Sequence, residues 1–235
     1  MSPPREITVV GDVAGAAAER IAATVRAGGH IGLSGGSTPR AANEHVAALD
    51  LDWSKTVLWF GDERAVGPDH EHSNYAMVKS SLLDRISGGQ PQVHRIRGEL
   101  GHEEAAIAYA RDLGGVFGDG TPRMDLLLLG LGPDAHCASL FPADAALGER
   151  ERWVVGVATP GMAPLVPRVT VTLPVLNAAR EVVFLISGGD KAEAVARAFG
   201  DAPGPDAPAS LVRPEPGRLT VLLDPPAAAR LEDRG

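Results

Sequence analysis

The sequence is poor in several residue types, and each shortage excludes a class of protein. It has one cysteine, Cys137, so an internal disulfide is excluded and a reducing compartment is expected. Its longest apolar runs, such as residues 126–129, are far shorter than the ~20 residues that span a bilayer, so we expect no membrane segment. Aromatic residues make up only 4% of the chain, so the core has to be packed mainly with aliphatic side chains and alanine.

Basic residues are also in short supply, which bears on the partners of the protein. The chain has 22 Lys and Arg against 30 Asp and Glu, a net charge of −8, and no stretch dense in basic residues. We therefore expect neither nucleic acid nor a membrane as a partner, and an anionic substrate would need a local site. Residues 1–6 contain no apolar segment typical of a signal peptide, so we expect a cytoplasmic protein.

What the sequence does contain is a regular alternation of short apolar runs and longer amphipathic stretches. This alternation is typical of βαβ units around a mostly parallel sheet. We predict strands at residues 7–10, 30–34, 56–60, 124–129, 153–157, 169–173, 182–186 and 219–223. We predict helices at residues 13–27, 39–49, 73–85, 103–113 and 191–199, and a Pro-rich loop at residues 202–208. Since no stretch is typical of a linker, we expect a single Rossmann-like α/β domain over residues 1–235, with helices on both faces of the sheet.

A glycine-rich turn that starts at Ser34 joins a predicted buried strand to a predicted helix. Gly35 and Gly36 let the backbone approach a ligand closely, and the start of the helix presents unpaired N–H groups with a partial positive charge. Ser37 and Thr38 add hydroxyl donors, which suits a phosphate monoester. A plain glycine turn with a Ser or Thr N-cap stays the alternative. The turn is not a P-loop, because no Gly-Lys-Ser/Thr follows it.

The order strand, then Ser-Gly-Gly, occurs twice, at residues 31–36 and 184–189. Open α/β sheets bind ligands at the carboxyl ends of their strands, so both turns are expected at such an edge. Lys191 follows the second turn and Arg168 opens another strand. Long cationic side chains are usually solvated, so neither residue alone indicates a site.

The loop at residues 130–142 follows the most apolar predicted strand and contains Asp134 and His136. A histidine that is oriented by a carboxylate can act as a general base near neutral pH. A solvent-facing loop histidine is the alternative. Residues 130–135 also fit the dinucleotide fingerprint G-x-G-x-x-A, but the next predicted strand does not end in Asp or Glu.

A second group of polar residues, Asp62, Glu63 and Arg64, follows the predicted strand 56–60. Such a group can orient hydroxyls and neutralise an oxyanion, or it can form only a surface ion pair. Residues 69–72, Asp-His-Glu-His, lie in a loop where adjacent polar residues are usually solvated, so we expect no metal site.

Residues 32–36 fit the G-x-S-x-G nucleophile elbow, which indicates a serine hydrolase as a further alternative. Ser34, Asp62 and His136 even follow one another in hydrolase order. However, only one or two predicted strands precede this elbow, whereas several do so in a hydrolase sheet.

Eight motifs follow one another along the chain. They are residues 33–39 (LSGGSTP), 61–64 (GDER), 73–75 (SNY), 125–134 (DLLLLGLGPD), His136, 138–142 (ASLFP), 168–174 (RVTVTLP) and 188–191 (GGDK). In this order and spacing they resemble the 6-phosphogluconolactonase family of the glucosamine/galactosamine-6-phosphate isomerase superfamily, and the likeness covers nearly the whole chain. The resemblance implies a hydrolase that needs neither metal nor cofactor. Its reaction would convert 6-phospho-D-glucono-1,5-lactone to 6-phospho-D-gluconate in the pentose phosphate pathway.

The resemblance also implies roles for individual residues. His136 is expected to take a proton from water and then to protonate the ring oxygen of the lactone. Asp134 is expected to orient His136 or to cap the loop, and Arg64 to stabilise negative charge or bind a substrate oxygen. The other expected contacts with the substrate or its phosphate are Ser34, Gly35, Gly36, Ser37, Thr38, Asp62, Asn74, Arg168 and Lys191. We expect a monomer or a weak dimer.

The chain departs from the family pattern at two positions next to His136. Ala135 and Cys137 stand where the family commonly has Gly and Thr, so the shape of this loop is expected to differ. Glucosamine-6-phosphate deaminase is the nearest alternative, but this chain has no carboxylate where the deaminase motif has one after the histidine. A non-catalytic sugar-phosphate sensor is another alternative. Since the first predicted strand begins at Ile7, we expect no helix-turn-helix before it.

Overall fold

A seven-stranded parallel sheet lies at the centre of the computed structural model, which describes residues 5–200 and 203–231. The strands in these ranges are β1 Arg5–Val9, β2 His30–Leu33, β3 Val57–Phe60, β4 Asp62–Arg64, β5 Gln92–Val93, β6 Leu126–Leu129, β7 Val154–Val157, β8 Arg168–Val171, β9 Glu181–Ile186 and β10 Arg218–Leu223. The large sheet has the order β1-β10-β9-β6-β2-β3-β5, and all of its strand pairs are parallel. The predicted α/β class with a mostly parallel sheet is confirmed.

Helices connect and cover these strands. They are α1 Val13–Ala27, α2 Ser37–Ala47, α3 Asn74–Ser81, α4 His102–Phe117, α5 Leu173–Ala178, α6 Ala192–Phe199 and α7 Pro225–Ala228. Local sequence sets the bounds of α1, because the Asp12 side chain accepts a hydrogen bond from the N–H of Gly15 (2.9 Å) and Gly28 takes a left-handed φ of 72°. Its buried Ala, Val and Ile stripe packs against α2, β9 and β10. No helix within the two described ranges is long and apolar enough to cross a membrane.

The core is aliphatic, as the scarcity of aromatic residues predicts. All four residues of β6 are buried, as are five of the six in β9. Neighbouring residues of a strand point to opposite faces, so both faces of the sheet are covered at these two strands. Burial on both faces explains why these segments lack polar alternation in the sequence.

A second sheet, with the order β4-β8-β7, is antiparallel. The predicted strands 153–157 and 169–173 are strands, but they lie in this small sheet and not in the parallel one. Only Gly61 separates β3 from β4, which leaves no room for the crossover that a parallel neighbour needs. The Tyr109 hydroxyl accepts from the Phe60 N–H (2.8 Å) and donates to its carbonyl (3.0 Å), so the chain leaves the large sheet there without unpaired groups.

Several other bounds differ from the prediction for local reasons. The predicted helix 73–85 ends at Ser81 and is followed by a 3-10 turn over Leu83–Arg85. The predicted strand 169–173 stops at Val171 because a proline in the first turn favours the start of α5. In the predicted loop 202–208, residue 202 lies outside the described residues. The elements β4, β5, α5 and α7 are too short for hydrophobic periodicity to indicate them.

Candidate active site

A cavity of about 350 Å³ lies at the carboxyl edge of the large sheet, beside the ends of β2, β3, β6 and β9. Parallel strands end at one edge, so turns that are distant in sequence meet there. Eleven of the twelve residues predicted for the site line this cavity: Ser34, Gly35, Gly36, Ser37, Thr38, Asp62, Arg64, Asn74, His136, Arg168 and Lys191. The twelfth, Asp134, is hydrogen-bonded to His136.

Asp134 holds the imidazole of His136. The distance from His136 Nδ1 to Asp134 Oδ1 is 2.5 Å, and the same oxygen accepts from the His136 backbone N–H at 3.1 Å. Burial by itself raises the pKa of the Asp134 carboxyl, but the hydrogen bonds and charge of His136 outweigh it and keep the pKa below its usual value. Since Nδ1 is bonded to a carboxylate, Nε2 is the ring nitrogen that is available to a ligand in the cavity.

The backbone of the loop 130–142 folds tightly around this pair. The N–H of Gly132 donates to the His136 carbonyl and the N–H of Ala135 donates to the Gly132 carbonyl, both at 2.9 Å. A Cβ atom on Gly132 would overlap the His136 ring, so this position requires glycine. Ala135 takes a φ of 66°, the conformation that its Cβ makes unfavourable by about 1–2 kcal/mol. The loop therefore takes the left-handed conformation at position 135 although Ala135 is not glycine. Cys137, two residues later, is fully buried.

Asp62 lies at the wall of the cavity, with both of its carboxylate oxygens hydrogen-bonded. Oδ1 accepts from Asn74 Nδ2 at 3.2 Å, and Oδ2 accepts from the hydroxyl of Ser139 at 2.6 Å. Its side chain is almost fully buried. Ser139 was not among the predicted site residues, although it lies within the motif 138–142, because nothing in the local pattern indicates which strand its hydroxyl contacts.

Glu63 is buried beneath the start of α3. Its Oε1 accepts from the backbone N–H groups of Arg64 and Asn74, both at 2.7 Å, and its Oε2 accepts from the N–H of Tyr75 at 2.8 Å and the hydroxyl of Ser73 at 3.1 Å. Burial raises the pKa of Glu63, and these backbone hydrogen bonds oppose the rise. The carboxylate thus fixes the first turn of α3, which carries Asn74 to Asp62.

Two arginines line the same cavity. Arg64 and Arg168 are directly opposed in the β4–β8 register, and Arg168 is only 3% exposed. Arg64 Nη1 donates to the His72 carbonyl at 2.6 Å. Arg168 donates to carbonyls of the preceding loop, among them that of Pro164 at 3.0 Å. Burial, followed by the charge of Arg64, lowers the pKa of Arg168. Both arginines thus bring positive charge to the cavity that His136 lines.

The turn 34–38 forms the remaining wall. The helix α2 begins at Ser37, and no side chain in the described residues caps its start at Gly36, where φ is 111°. Its first N–H groups therefore have no side-chain cap, and the residues that carry them line the cavity, an arrangement that suits an anion. A Cβ on Gly35 would overlap the amide of Asn74, so the chain needs glycine there.

The second Ser-Gly-Gly turn resembles the first, with a shift of one residue. Its positive φ of 103° is at Gly188, the second residue after β9, whereas Gly36 is the third residue after β2. Ser187 lines the cavity together with Lys191. Ser187 was not among the predicted site residues, although the repeated Ser-Gly-Gly pattern indicates it.

The geometry does not support the alternatives from short motifs. The Ser34 hydroxyl donates to the Gly35 carbonyl (3.2 Å), while Asp62 and His136 are each bonded to other side chains, so the three do not form a catalytic triad. The ring centroids of His70 and His72, in the Asp-His-Glu-His segment, lie 5.1 Å apart. Within residues 5–200 and 203–231, no group of three or more His, Cys, Asp or Glu is placed to hold a metal ion.

Comparison with known proteins identifies relatives over most of the chain. A family model for glucosamine-6-phosphate isomerases/6-phosphogluconolactonase matches residues 5–221. A human 6-phosphogluconolactonase is 44% identical over 207 residues, which cover 86% of this chain and 80% of the relative. A Nostoc 6-phosphogluconolactonase is 40% identical over 209 residues, which cover 86% and 84%. The solved structure of 6-phosphogluconolactonase from Trypanosoma cruzi has a TM-score of 0.85 at 30% identity and covers 98% of both chains.

Proposed function

The chain belongs to the glucosamine-6-phosphate isomerase/6-phosphogluconolactonase family, and on that basis we propose that it hydrolyses 6-phospho-D-glucono-1,5-lactone to 6-phospho-D-gluconate. Its relatives are named 6-phosphogluconolactonase, and this relationship supports an enzyme that hydrolyses a lactone in the pentose phosphate pathway. The observation that carries the specific proposal is that one cavity contains both an imidazole held by a carboxylate and an uncapped helix start with cations beside it.

In the proposed reaction, His136 acts as the general base. Its Nε2 takes a proton from a water molecule while the water oxygen attacks the lactone carbonyl carbon. The resulting imidazolium then gives that proton to the ring oxygen as the C–O bond breaks, which leaves a carboxylic acid that ionises and a hydroxyl group. Asp134 holds the Nδ1–H and stabilises the imidazolium. Arg64 neutralises the charge that develops on the carbonyl oxygen.

The rest of the cavity binds the remote part of the substrate. We assign the phosphate to the start of α2, the hydroxyls of Ser37 and Thr38, and the cations Arg168 and Lys191. We assign the sugar hydroxyls to Asp62 and Asn74, which line the same cavity. Holding the phosphate fixes the carbonyl near His136, and this positioning lowers the barrier to attack.

The same groups make a metal or an organic cofactor unnecessary for the proposed reaction, because a base and an oxyanion partner are both supplied by side chains. A cytoplasmic location, a monomer or weak dimer, and one domain over residues 1–235 are part of the proposal. These three parts of the proposal are supported by the amino-acid composition, by the lack of a linker-like stretch in the sequence and by membership of the family.

A coupled assay tests this function. The lactone is formed in situ, its conversion to 6-phosphogluconate is followed, and the rate of spontaneous opening is subtracted. Glucosamine 6-phosphate is supplied in parallel, and ammonia release is measured. We expect lactone turnover without ammonia release. Ammonia release would favour a deaminase, and tight phosphosugar binding without turnover would favour a sensor; either result contradicts the proposal.

A further inference from the structure

The loop 130–142, which carries His136, is hydrogen-bonded to the small sheet at one residue. Within the described residues, both hydrogen bonds that join this loop to the strands β4 and β8 are made by Ser139. Its backbone N–H donates to Thr170 Oγ1 on β8 at 3.2 Å, and its hydroxyl donates to Asp62 Oδ2 on β4 at 2.6 Å. Strand β4 also carries Arg64, so these two bonds connect the loop that carries the imidazole to the sheet that carries the arginine.

The environment of Ser139 makes the bond to Asp62 a strong one. Ser139 is 0% exposed, so no bulk water competes for its hydroxyl, and its acceptor is a charged oxygen. The turn that presents it is fixed by the N–H of Leu140, which donates to the Cys137 carbonyl at 3.0 Å, and by a φ of 47° at Ala138. The local backbone therefore aims the hydroxyl at β4.

Asp62 is in turn held from the other side. Asn74 Nδ2 donates to its backbone carbonyl at 2.9 Å and to Oδ1 at 3.2 Å, and Asn74 is itself fixed by Glu63. The carboxylate of Asp62 is thus a fixed acceptor, and the hydroxyl of Ser139 attaches the His136 loop to strand β4. A rigid attachment is what a base needs if it is to stay within reach of its substrate.

We propose that Ser139 is a positioning residue, whose hydrogen bond to Asp62 fixes the His136 loop against β4 and so sets the separation of His136 and Arg64. The proposal rests on the proposed function, in which these two side chains act on the same carbonyl group. The phosphate-binding turn 34–38 is outside this link, because it belongs to the large sheet and α2. Loss of the bond should therefore affect catalysis more than binding.

The first test is Ser139→Ala in the coupled assay. We expect kcat to fall about 10- to 100-fold, since a displacement of the order of 1 Å has effects of this size. KM should change less than about threefold, because the phosphate contacts remain. Ser81→Ala is the matched control: Ser81 is also 0% exposed and its hydroxyl is also bonded, to Asn43 and the Met77 carbonyl, but in the α2–α3 contact.

The control separates positioning from stability. A fall in kcat for Ser139→Ala that Ser81→Ala does not show at a similar loss of Tm supports the proposal. An unchanged kcat, or an equal fall in both variants, overturns it, and so does a rise in KM without a change in kcat. Ser139→Cys keeps a weak donor and should have an intermediate kcat. If Ser139→Ala does not fold, the kcat of Ser139→Cys is compared with that of Ser81→Ala instead, and the same outcomes support or overturn the proposal.

A double-mutant cycle tests whether Ser139 acts through Asp62. Asp62→Ala removes the acceptor, so adding Ser139→Ala to it should lower kcat by less than about twofold further. The same loss in both backgrounds would overturn the proposal.

The NMR signals of the His136 ring give a readout that does not need turnover. They should shift or broaden in Ser139→Ala and stay in place in Ser81→Ala. If the wild-type protein lacks lactonase activity, the proposed function fails while this measurement still reports on the link. If the wild-type protein is active and the His136 signals do not move, the link alone fails.

Discussion

Arg64 and Arg168 are directly opposed on the antiparallel strands β4 and β8, and both side chains line the cavity. Opposed residues on such strands have Cβ atoms about 4.5–5.5 Å apart, a spacing at which like charges repel. The repulsion, added to burial, lowers the pKa of Arg168. The protein maintains this unfavourable pair by bonding each guanidinium to backbone carbonyls, and a bound anion would relieve it.

Inorganic phosphate should therefore raise the Tm of the protein, and Arg168→Met should lose most of that rise. A ligand at about 100 times its Kd stabilises the folded state by about 2.7 kcal/mol, which thermal unfolding detects easily. In the lactonase assay the same variant should raise KM about tenfold or more, because it removes contacts made in both ground and transition states. Arg85→Met is the control, since Arg85 lies on the surface and binds Glu44. A full phosphate effect in Arg168→Met would contradict the assignment.

Replacement of His136 by Ala should lower kcat by about 100-fold or more, the usual contribution of a general base. Asp134→Asn should give a smaller fall, of about 10- to 100-fold, because the imidazole is retained but loses the carboxylate that stabilises its charged form. Both variants should keep the phosphate-induced rise in Tm, since the proposal assigns the phosphate to the start of α2, Arg168 and Lys191 and not to these two residues. A His136→Ala enzyme with nearly wild-type kcat would refute the role of the base.

Gly132→Ala should reduce kcat by about 10-fold or more, because its new Cβ overlaps the His136 ring and has to displace it. The measurement is the coupled assay, combined with Tm to detect general loss of folding. Gly115→Ala is the control for the change from glycine to alanine, since nothing lies within 4 Å of a Cβ there and Gly115 is in α4. Wild-type kcat in Gly132→Ala would show that the loop can adjust without moving the imidazole.

The stability of the protein should fall in mild acid through His30. Its Nδ1 accepts from Trp59 Nε1 at 3.1 Å, and burial lowers its pKa, with Asp125 opposing and His94 adding to the decrease. A histidine whose pKa is lower in the folded state contributes stability above its unfolded pKa of about 6.5, and this stability is lost as the pH falls through the folded value.

His30→Asn keeps an acceptor for Trp59 but removes the titration. Between about pH 7.5 and pH 5.5, Tm should therefore decrease less in this variant than in the wild type. Parallel Tm curves for the two proteins would rule out His30 as a source of the acid sensitivity.

The sequence was sufficient to predict the parallel sheet and much of the candidate site. Hydrophobic runs such as β6 are local features of the sequence. The turn or loop that follows a strand, such as Ser-Gly-Gly after β2 or the His136 loop after β6, lies at the carboxyl end of that strand wherever the strand lies in the sheet. Because all strands of a parallel sheet end at the same edge, predicting the strands also predicted that Ser34, Asp62 and His136 lie near one another.

The small sheet was not predictable in the same way, because its strands pair over long distances in the chain. Nothing near Arg64 indicates that Arg168 lies opposite, and the bond from Ser139 to Asp62 joins residues that are 77 positions apart. The sequence by itself determined which chemical groups would meet at the edge of the sheet, since local periodicity and turn residues encode the strands and their ends. Only the tertiary structure decided which groups from distant parts of the chain bond to each other, since register and side-chain packing depend on contacts that no local pattern contains.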